Sequence, residues 1–89
     1  MNNKFEQLTE KWMLESKDTI ALRNLCEEYC GRFGTAVYNA LMRGEIRSIK
    51  TLYETDLETL FNIRNIGVRR IGYIKTLKQV IKDELDKLD

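Results

Sequence analysis

The sequence predicts an all-α protein, and three observations support this prediction. Apolar residues recur every three or four positions through most of the chain, which is the spacing of one face of an α-helix. No segment alternates apolar and polar residues as a half-buried strand does. Proline is absent, and several glycines stand between the apolar stripes. We therefore expect a compact bundle of about five short helices, preceded by an N-terminal helix.

The first predicted helix covers residues 4–14. Its apolar stripe consists of Phe5, Leu8, Trp12 and Met13. Trp12 has two interpretations: it packs in the core, or it anchors a protein partner, as interface tryptophans often do. We expect residues 1–17 to form an N-terminal helical extension and residues 18–89 to form the main domain.

Two more helices are predicted before the middle of the chain. Residues 19–30 carry a broad apolar stripe, and residues 36–43 carry a narrower one. Gly31 and Gly34 bracket a predicted loop between them. Thr35 is a suitable N-cap for the third helix because its hydroxyl can accept a bond from a free backbone N–H.

Two short helices are predicted next, each with a capping residue. Ser48 is a suitable N-cap for a brief helix that carries Leu52. Thr55 or Asp56 is a suitable cap for the following helix. Glu58 stands three residues after Thr55, which is the spacing of a capping box.

The last predicted helix runs from residue 68 to about residue 85, after a tight turn over residues 64–67. Gly67 stands where a chain reversal needs a positive φ, or where the backbone must approach a ligand closely. A short helix, a glycine turn and a long helix in this order indicate a helix-hairpin-helix element. The alternative is a plain corner between two helices. The predicted core consists of Leu41, Ile46, Ile49, Leu52, Leu60, Ile63, Ile66, Ile71 and Ile74.

The start of the last helix suits a phosphate. The N–H groups of the first helical turn have no partner within the helix, and the helix dipole favours an anion there. Arg69 and Arg70 add positive charge at this place. The net charge of the chain is only +1, but residues 62–78 carry five basic residues and no acidic one. Residues 31–50 form a second basic segment, which includes Arg32 and Arg43.

The residue inventory argues against catalysis. The chain has no histidine, which is the commonest general base and metal ligand. Cys26 and Cys30 lie one helical turn apart, and no further ligands are spaced for a metal. We read both cysteines as small buried apolar side chains. We expect no enzymatic activity, no metal, no cofactor and no small-molecule substrate. No apolar run approaches the ~20 residues of a membrane span, and we expect a cytoplasmic protein.

Part of the sequence resembles the C-terminal domain of the bacterial RNA polymerase α subunit. The resemblance extends without a gap from about residue 36 to residue 81. The matching positions are Asn39, Leu41, Ile46, Ile49, Leu52, Leu60, Ile63, Asn65, Ile66, Gly67 and Ile71. It implies a compact five-helix fold that binds the DNA minor groove and contacts transcription factors.

The resemblance also implies a DNA-binding face. Asn39 and Gly67 match DNA-contacting positions of that family, and Asn65 lies in its hairpin. Arg69 matches a basic phosphate contact, whereas Arg70 falls where the family usually has a small hydroxyl residue. We count all five among the candidate DNA-binding residues.

One departure from the family pattern concerns its central minor-groove arginine, which falls at Ala36 in this sequence. Alanine supplies no charge to the groove. Arg32 and Arg43 lie nearby in the sequence and are candidates for additional basic contacts.

Two functions follow from these observations. The first is a free-standing, non-enzymatic module that binds duplex DNA weakly, through phosphates and groove shape, in a context linked to transcription. The second is a protein-interaction module or inhibitor from a mobile element that kept the fold and lost DNA binding. RNA polymerase or a transcription protein is the expected protein partner, with Trp12 as the candidate anchor.

Overall fold

The computed structural model describes residues 4–12 and 18–88, and in these ranges the protein is helical with no strand. Six α-helices and one short 3₁₀ helix follow one another in the described chain. They are α1 (Lys4–Trp12), α2 (Asp18–Cys30), the 3₁₀ helix (Gly31–Phe33), α3 (Gly34–Arg43), α4 (Ile49–Glu54), α5 (Leu57–Phe61) and α6 (Val68–Lys87). The predicted all-α class and the helical bundle are confirmed. Met13 and Leu14, the predicted end of the first helix, lie outside the described residues.

A single hydrophobic core joins all six α-helices. Helix α6 lies against α1, α2, α3, α4 and α5, and it buries the apolar stripe Ile71, Ile74, Leu77, Ile81 and Leu85. The predicted core residues are all buried except Ile63, which is partly buried and packs against the core. The helical periodicity therefore identified the inward faces correctly.

Trp12 belongs to this core. Its side chain is 6% exposed, and its Nε1–H donates a hydrogen bond of 2.8 Å to Oε2 of Glu28. Asn24 of α2 donates a hydrogen bond to the carbonyl of Trp12. The structure thus supports the core interpretation and does not support Trp12 as a partner anchor, because the buried indole presents little surface. Since α1 shares the core with the rest of the chain, the division at residue 17 stays a prediction.

An ion pair also joins α1 to the far end of α6. Lys11 Nζ lies 2.8 Å from Oε2 of Glu84. The hydrogen bond from Lys11 lowers the pKa of the Glu84 carboxyl. The C-terminal half of α6 is therefore fixed by both apolar and polar contacts.

The connection between α2 and α3 differs from the predicted loop. Gly34 is the first residue of α3 and is buried, so Thr35 lies inside the helix and the predicted cap at Thr35 is wrong. Phe33 precedes the helix instead, without a side-chain capping bond. A Cβ at residue 34 would lie 2.8 Å from the carbonyl oxygen of Cys26. Glycine is needed there because the two helices approach so closely.

Side chains cap the two short helices α4 and α5. Ser48 Oγ accepts a bond of 3.0 Å from the N–H of Thr51, as predicted. Asp56 Oδ1 accepts a bond of 2.7 Å from the N–H of Thr59. Thr55 instead donates to the carbonyl of Thr51 at the end of α4. Asp56 is therefore the cap of α5, and the predicted capping box is wrong.

Candidate nucleic-acid interface

Residues 62–67 join α5 to α6 and are called the α5–α6 turn below. Asn65 has the positive φ of this turn, +72°, whereas Gly67 is extended at φ −102° and ψ −168°. The expectation of a positive φ at Gly67 is therefore wrong. Asparagine tolerates the left-handed region better than most residues. Ile66 is buried between the two and anchors the turn in the core.

The first turn of α6 has no side-chain cap. Gly67 is the N-cap residue and forms no capping hydrogen bond through a side chain. The first helical bond runs from the N–H of Ile71 to the carbonyl of Gly67, at 2.9 Å. The N–H groups of Val68, Arg69 and Arg70 precede this bond and have no intrahelical acceptor. A Cβ at residue 67 would meet no atom within 4 Å, so the fold itself does not require glycine here.

The two arginines at this helix start have different environments. Arg70 is half-buried, and its guanidinium donates a hydrogen bond to the carbonyl of Asn65. This bond stabilises the residue with the positive φ. Arg69 is exposed and makes no hydrogen bond or ion pair with the described part of the chain. Arg69 is therefore the arginine whose charge is available to a ligand.

Two open depressions flank Arg69. The turn depression is lined by Asn65, Ile66, Gly67, Val68, Arg69 and Arg70. The Phe33 depression is lined by Phe33, Arg69, Arg70, Gly72, Tyr73 and Thr76. The two share both arginines, so they form one continuous basic surface around the start of α6.

The 3₁₀ helix places Arg32 against Phe33, which lines the second depression, although Arg32 itself lines neither depression. The ring of Phe33 packs on Tyr73 of α6, with 5.5 Å between centroids. The guanidinium carbon of Arg32 lies 5.1 Å from the centroid of the Phe33 ring. Through this stack, Arg32 of residues 31–50 is joined to Tyr73 of α6. That residues 31–50 and 62–78 form one binding face stays a prediction.

Asn39 and Arg43 lie on the exposed side of α3. They are four residues apart and therefore share one face of the helix. The residues that flank α3 approach α6 and the α5–α6 turn: Phe33 precedes α3 and contacts Tyr73, and a Cβ at Gly44, which follows α3, would overlap the side chain of Ile63. Neither Asn39 nor Arg43 lines the two depressions. Their assignment as DNA contacts stays a prediction.

The remaining basic residues of the segment 62–78 differ in their exposure. Arg64 and Lys75 are exposed. Lys78 Nζ donates a hydrogen bond of 2.9 Å to the carbonyl of Tyr53. Burial lowers the pKa of the Lys78 ammonium, with a smaller opposing effect from Asp56. Lys78 thus holds α4 against α6 and is not a surface charge of this site.

Phe33 is a residue of this surface that the sequence did not indicate. This side chain is 42% exposed although it is large and aromatic. The sequence feature that could have pointed to Phe33 is its position next to Arg32 and between Gly31 and Gly34, where the apolar helical stripe is interrupted. An aromatic residue in an interrupted stripe has no predicted inward face, and only the fold shows that it packs on Tyr73.

Other reactive groups of the described chain form no comparable site. Within residues 4–12 and 18–88, no three or more acidic, cysteine or histidine side chains are grouped to bind a metal ion. Cys26 and Cys30 are buried free thiols. Burial, the largest effect, raises the pKa of Cys26 to about 12, so this thiol is protonated at neutral pH. In the same ranges, no helix is both long and apolar enough to span a bilayer.

Comparison with known proteins adds no relative. No family model matches the chain, and neither a curated protein nor a solved structure matches it. The resemblance to the RNA polymerase α C-terminal domain therefore stays a prediction from residues 36–81.

Proposed function

We propose that this protein is a free-standing, non-enzymatic module that binds duplex DNA weakly through the α5–α6 turn and the start of α6. In this proposal the element acts as a helix-hairpin-helix motif. A DNA phosphate binds the free N–H groups after Gly67, and Arg69 adds a charged contact. Arg32 extends the positive surface towards a neighbouring phosphate.

The environment of Arg69 carries this proposal. The Arg69 guanidinium is exposed and has no hydrogen-bond or ion-pair partner among residues 4–12 and 18–88. It stands beside an uncapped helix start, and the N-cap residue has open space around its Cα. An ordinary helix corner has no need of these features together. Among the helices whose N-cap residue the structure describes, α4 and α5 also follow an extended residue, and each has a side-chain cap.

The proposed binding is weak and depends little on sequence. Ala36 supplies no groove-inserting charge, so the contacts are mainly to phosphates, which position a protein without reading bases. Such binding has a dissociation constant on the order of 10⁻⁴–10⁻⁶ M at physiological salt, and it weakens as the salt concentration rises. The proposed link to transcription, with RNA polymerase or a transcription protein as a further partner, rests on the resemblance of residues 36–81 alone.

A salt titration of duplex binding tests the proposal. The affinity of the wild type, Arg69→Ala and Lys82→Ala is measured by fluorescence anisotropy at several salt concentrations. Lys82 is a matched control because it is an exposed cation on the same helix, about 20 Å from Arg69 along the axis. Arg69→Ala is expected to lower the affinity and to reduce the salt slope by about one counter-ion. Lys82→Ala is expected to change neither.

Two results would count against this proposal. The wild type could show no duplex binding even at low salt, or the two variants could weaken binding equally. Arg70→Ala is not used for this comparison, because the loss of its bond to Asn65 would disturb the turn itself.

A second function is favoured by a separate observation on α5. Leu57 and Phe61 are 36% and 47% exposed and lie four residues apart on one face. Glu54 and Glu58 are exposed near them in the sequence. An apolar surface with acidic neighbours suits a basic, partly apolar protein segment. Loss of DNA binding with retention of this surface would make the protein an interaction module or an inhibitor.

A further inference from the structure

Phe33 presents an aromatic ring to solvent in a fixed position. One side of the ring packs on Tyr73 at an interplanar angle of 33°, yet 42% of the side chain remains exposed. The guanidinium of Arg32 also lies over this ring, so a further flat group can stack on the ring where this arginine moves aside. Nucleic-acid-binding proteins use such rings as platforms for unpaired bases.

Gly72 leaves the space beside this ring open. It lies inside α6, where glycine is less favourable than alanine. A Cβ at this position would meet no atom within 4 Å, so no contact of the fold requires glycine. The missing side chain enlarges the Phe33 depression, which Gly72 and Thr76 line together with the aromatic pair.

The charge around the Phe33 depression is positive. Arg69 and Arg70 line it, and Arg32 lies against the ring of Phe33. Acidic residues are absent from residues 29–44 and 62–78, which supply all of these groups. The depression therefore combines an aromatic platform with cations and suits a ligand that is flat at one end and anionic at the other.

We propose that the Phe33 depression binds an unpaired nucleotide of a DNA strand. The base stacks on Phe33, Arg32 moves from the ring to a phosphate, and Arg69 contacts the next phosphate. This inference rests on the proposed function, because it takes the same basic surface as the binding face. It adds a preference for single-stranded, frayed or gapped DNA over a continuous duplex.

The test compares a fluorescein-labelled 12-nucleotide oligothymidine with a blunt duplex of equal strand length. Wild-type protein is expected to bind the single strand at least as tightly as the duplex. Phe33→Leu keeps an apolar side chain but removes the ring. It is expected to weaken single-strand binding about tenfold and to leave duplex binding nearly unchanged. Phe61→Leu is the matched control, because Phe61 is 47% exposed on α5 and lies outside the depression; it is expected to bind as the wild type does.

A second variant tests the same depression without changing Phe33 or its packing on Tyr73. Gly72→Gln places a good helix former where the fold leaves space, so circular dichroism should show an intact helical protein. The new side chain fills the depression, and single-strand binding is expected to fall by a similar factor.

The outcomes separate this inference from the proposed function. Binding of the duplex without binding of the single strand would overturn the nucleotide site and leave the proposed function standing. Single-strand binding that survives both Phe33→Leu and Gly72→Gln would also overturn it. Absence of binding to either probe at low salt would overturn both proposals and favour a protein ligand for this surface.

Discussion

Helices α5 and α6 begin in opposite ways, although they follow each other directly in the chain. Helix α5 has five residues, and its N-cap residue is Asp56, whose carboxylate accepts a hydrogen bond of 2.7 Å from the N–H of Thr59. Helix α6 has twenty residues, and its N-cap residue is Gly67, which supplies no capping side chain; two arginines lie in the first turn of the helix. A side chain of the protein accepts a hydrogen bond from the start of α5, whereas no side chain does so at the start of α6.

The difference follows from what stabilises each helix. A five-residue helix has few intrahelical bonds, so a cap provides a substantial part of its stability. Helix α6 buries a long apolar stripe against the core, and this burial stabilises it without a cap. The protein can therefore leave the N–H groups of α6 free at little cost. The uncapped start of α6 therefore agrees with the proposed binding of a phosphate there.

The largest expected effect concerns the burial that holds α5 in place. Leu60→Ala should lower the free energy of unfolding by ~2–5 kcal/mol, because this fully buried side chain leaves a cavity. Phe61→Ala, at the exposed neighbouring position, should change it by less than about 0.5 kcal/mol. Chemical denaturation measures both. Equal effects would mean that α5 is not anchored through Leu60.

Removal of the α5 cap should have the next largest effect. Asp56→Ala leaves the N–H of Thr59 without its acceptor and should lower the melting temperature, whereas Asp56→Asn should retain the cap. The hydrogen bonds from Thr59 lower the pKa of Asp56 below its usual 3.8. The charged cap therefore adds stability above that pH and loses it as the pH falls through the lowered pKa. A melting temperature that does not change in Asp56→Ala would show that the cap of α5 is dispensable.

A smaller effect in the opposite direction is expected within α6. Gly72→Ala should raise the free energy of unfolding by about 0.5–1 kcal/mol, because alanine favours a helix interior and the added Cβ has open space. Thermal denaturation measures the change. Destabilisation would show that glycine is needed for the fold, and the reading of Gly72 as an open position for a ligand would fail.

The sequence predicted the helices well because their stability comes from periodic burial. The apolar stripes located every described α-helix to within a few residues, and eight of the nine predicted core residues are buried. The apolar stripes do not distinguish between neighbouring residues that are suited to the same turn or cap position. Asn65 and Gly67 both tolerate a positive φ, and Thr55 and Asp56 both make good caps. Contacts in the folded chain determine which residue of each pair has the positive φ or forms the cap.

The candidate site was predictable in charge but not in detail. The basic segments and the free helix start were visible in the sequence. The sequence did not show that Arg69 and Arg70 have different environments, because this difference depends on the hydrogen bond from Arg70 to the carbonyl of Asn65. Phe33 was missed for the same reason: its exposure depends on how the 3₁₀ helix packs on Tyr73.

The most direct test introduces a capping side chain at residue 67, the N-cap position of α6. Gly67→Asn and Gly67→Asp introduce side chains of nearly equal size at an extended N-cap that has space for them. Both should stabilise the helix start by a few tenths of a kcal/mol. Only the aspartate adds a negative charge where we propose that a phosphate binds.

The decisive measurement is the duplex DNA affinity of these two variants at low salt. If the start of α6 is the binding site, Gly67→Asp should bind at least about tenfold more weakly than Gly67→Asn, because like charges repel. Equal affinities in two folded variants would contradict the account and would place the bound DNA elsewhere on the protein.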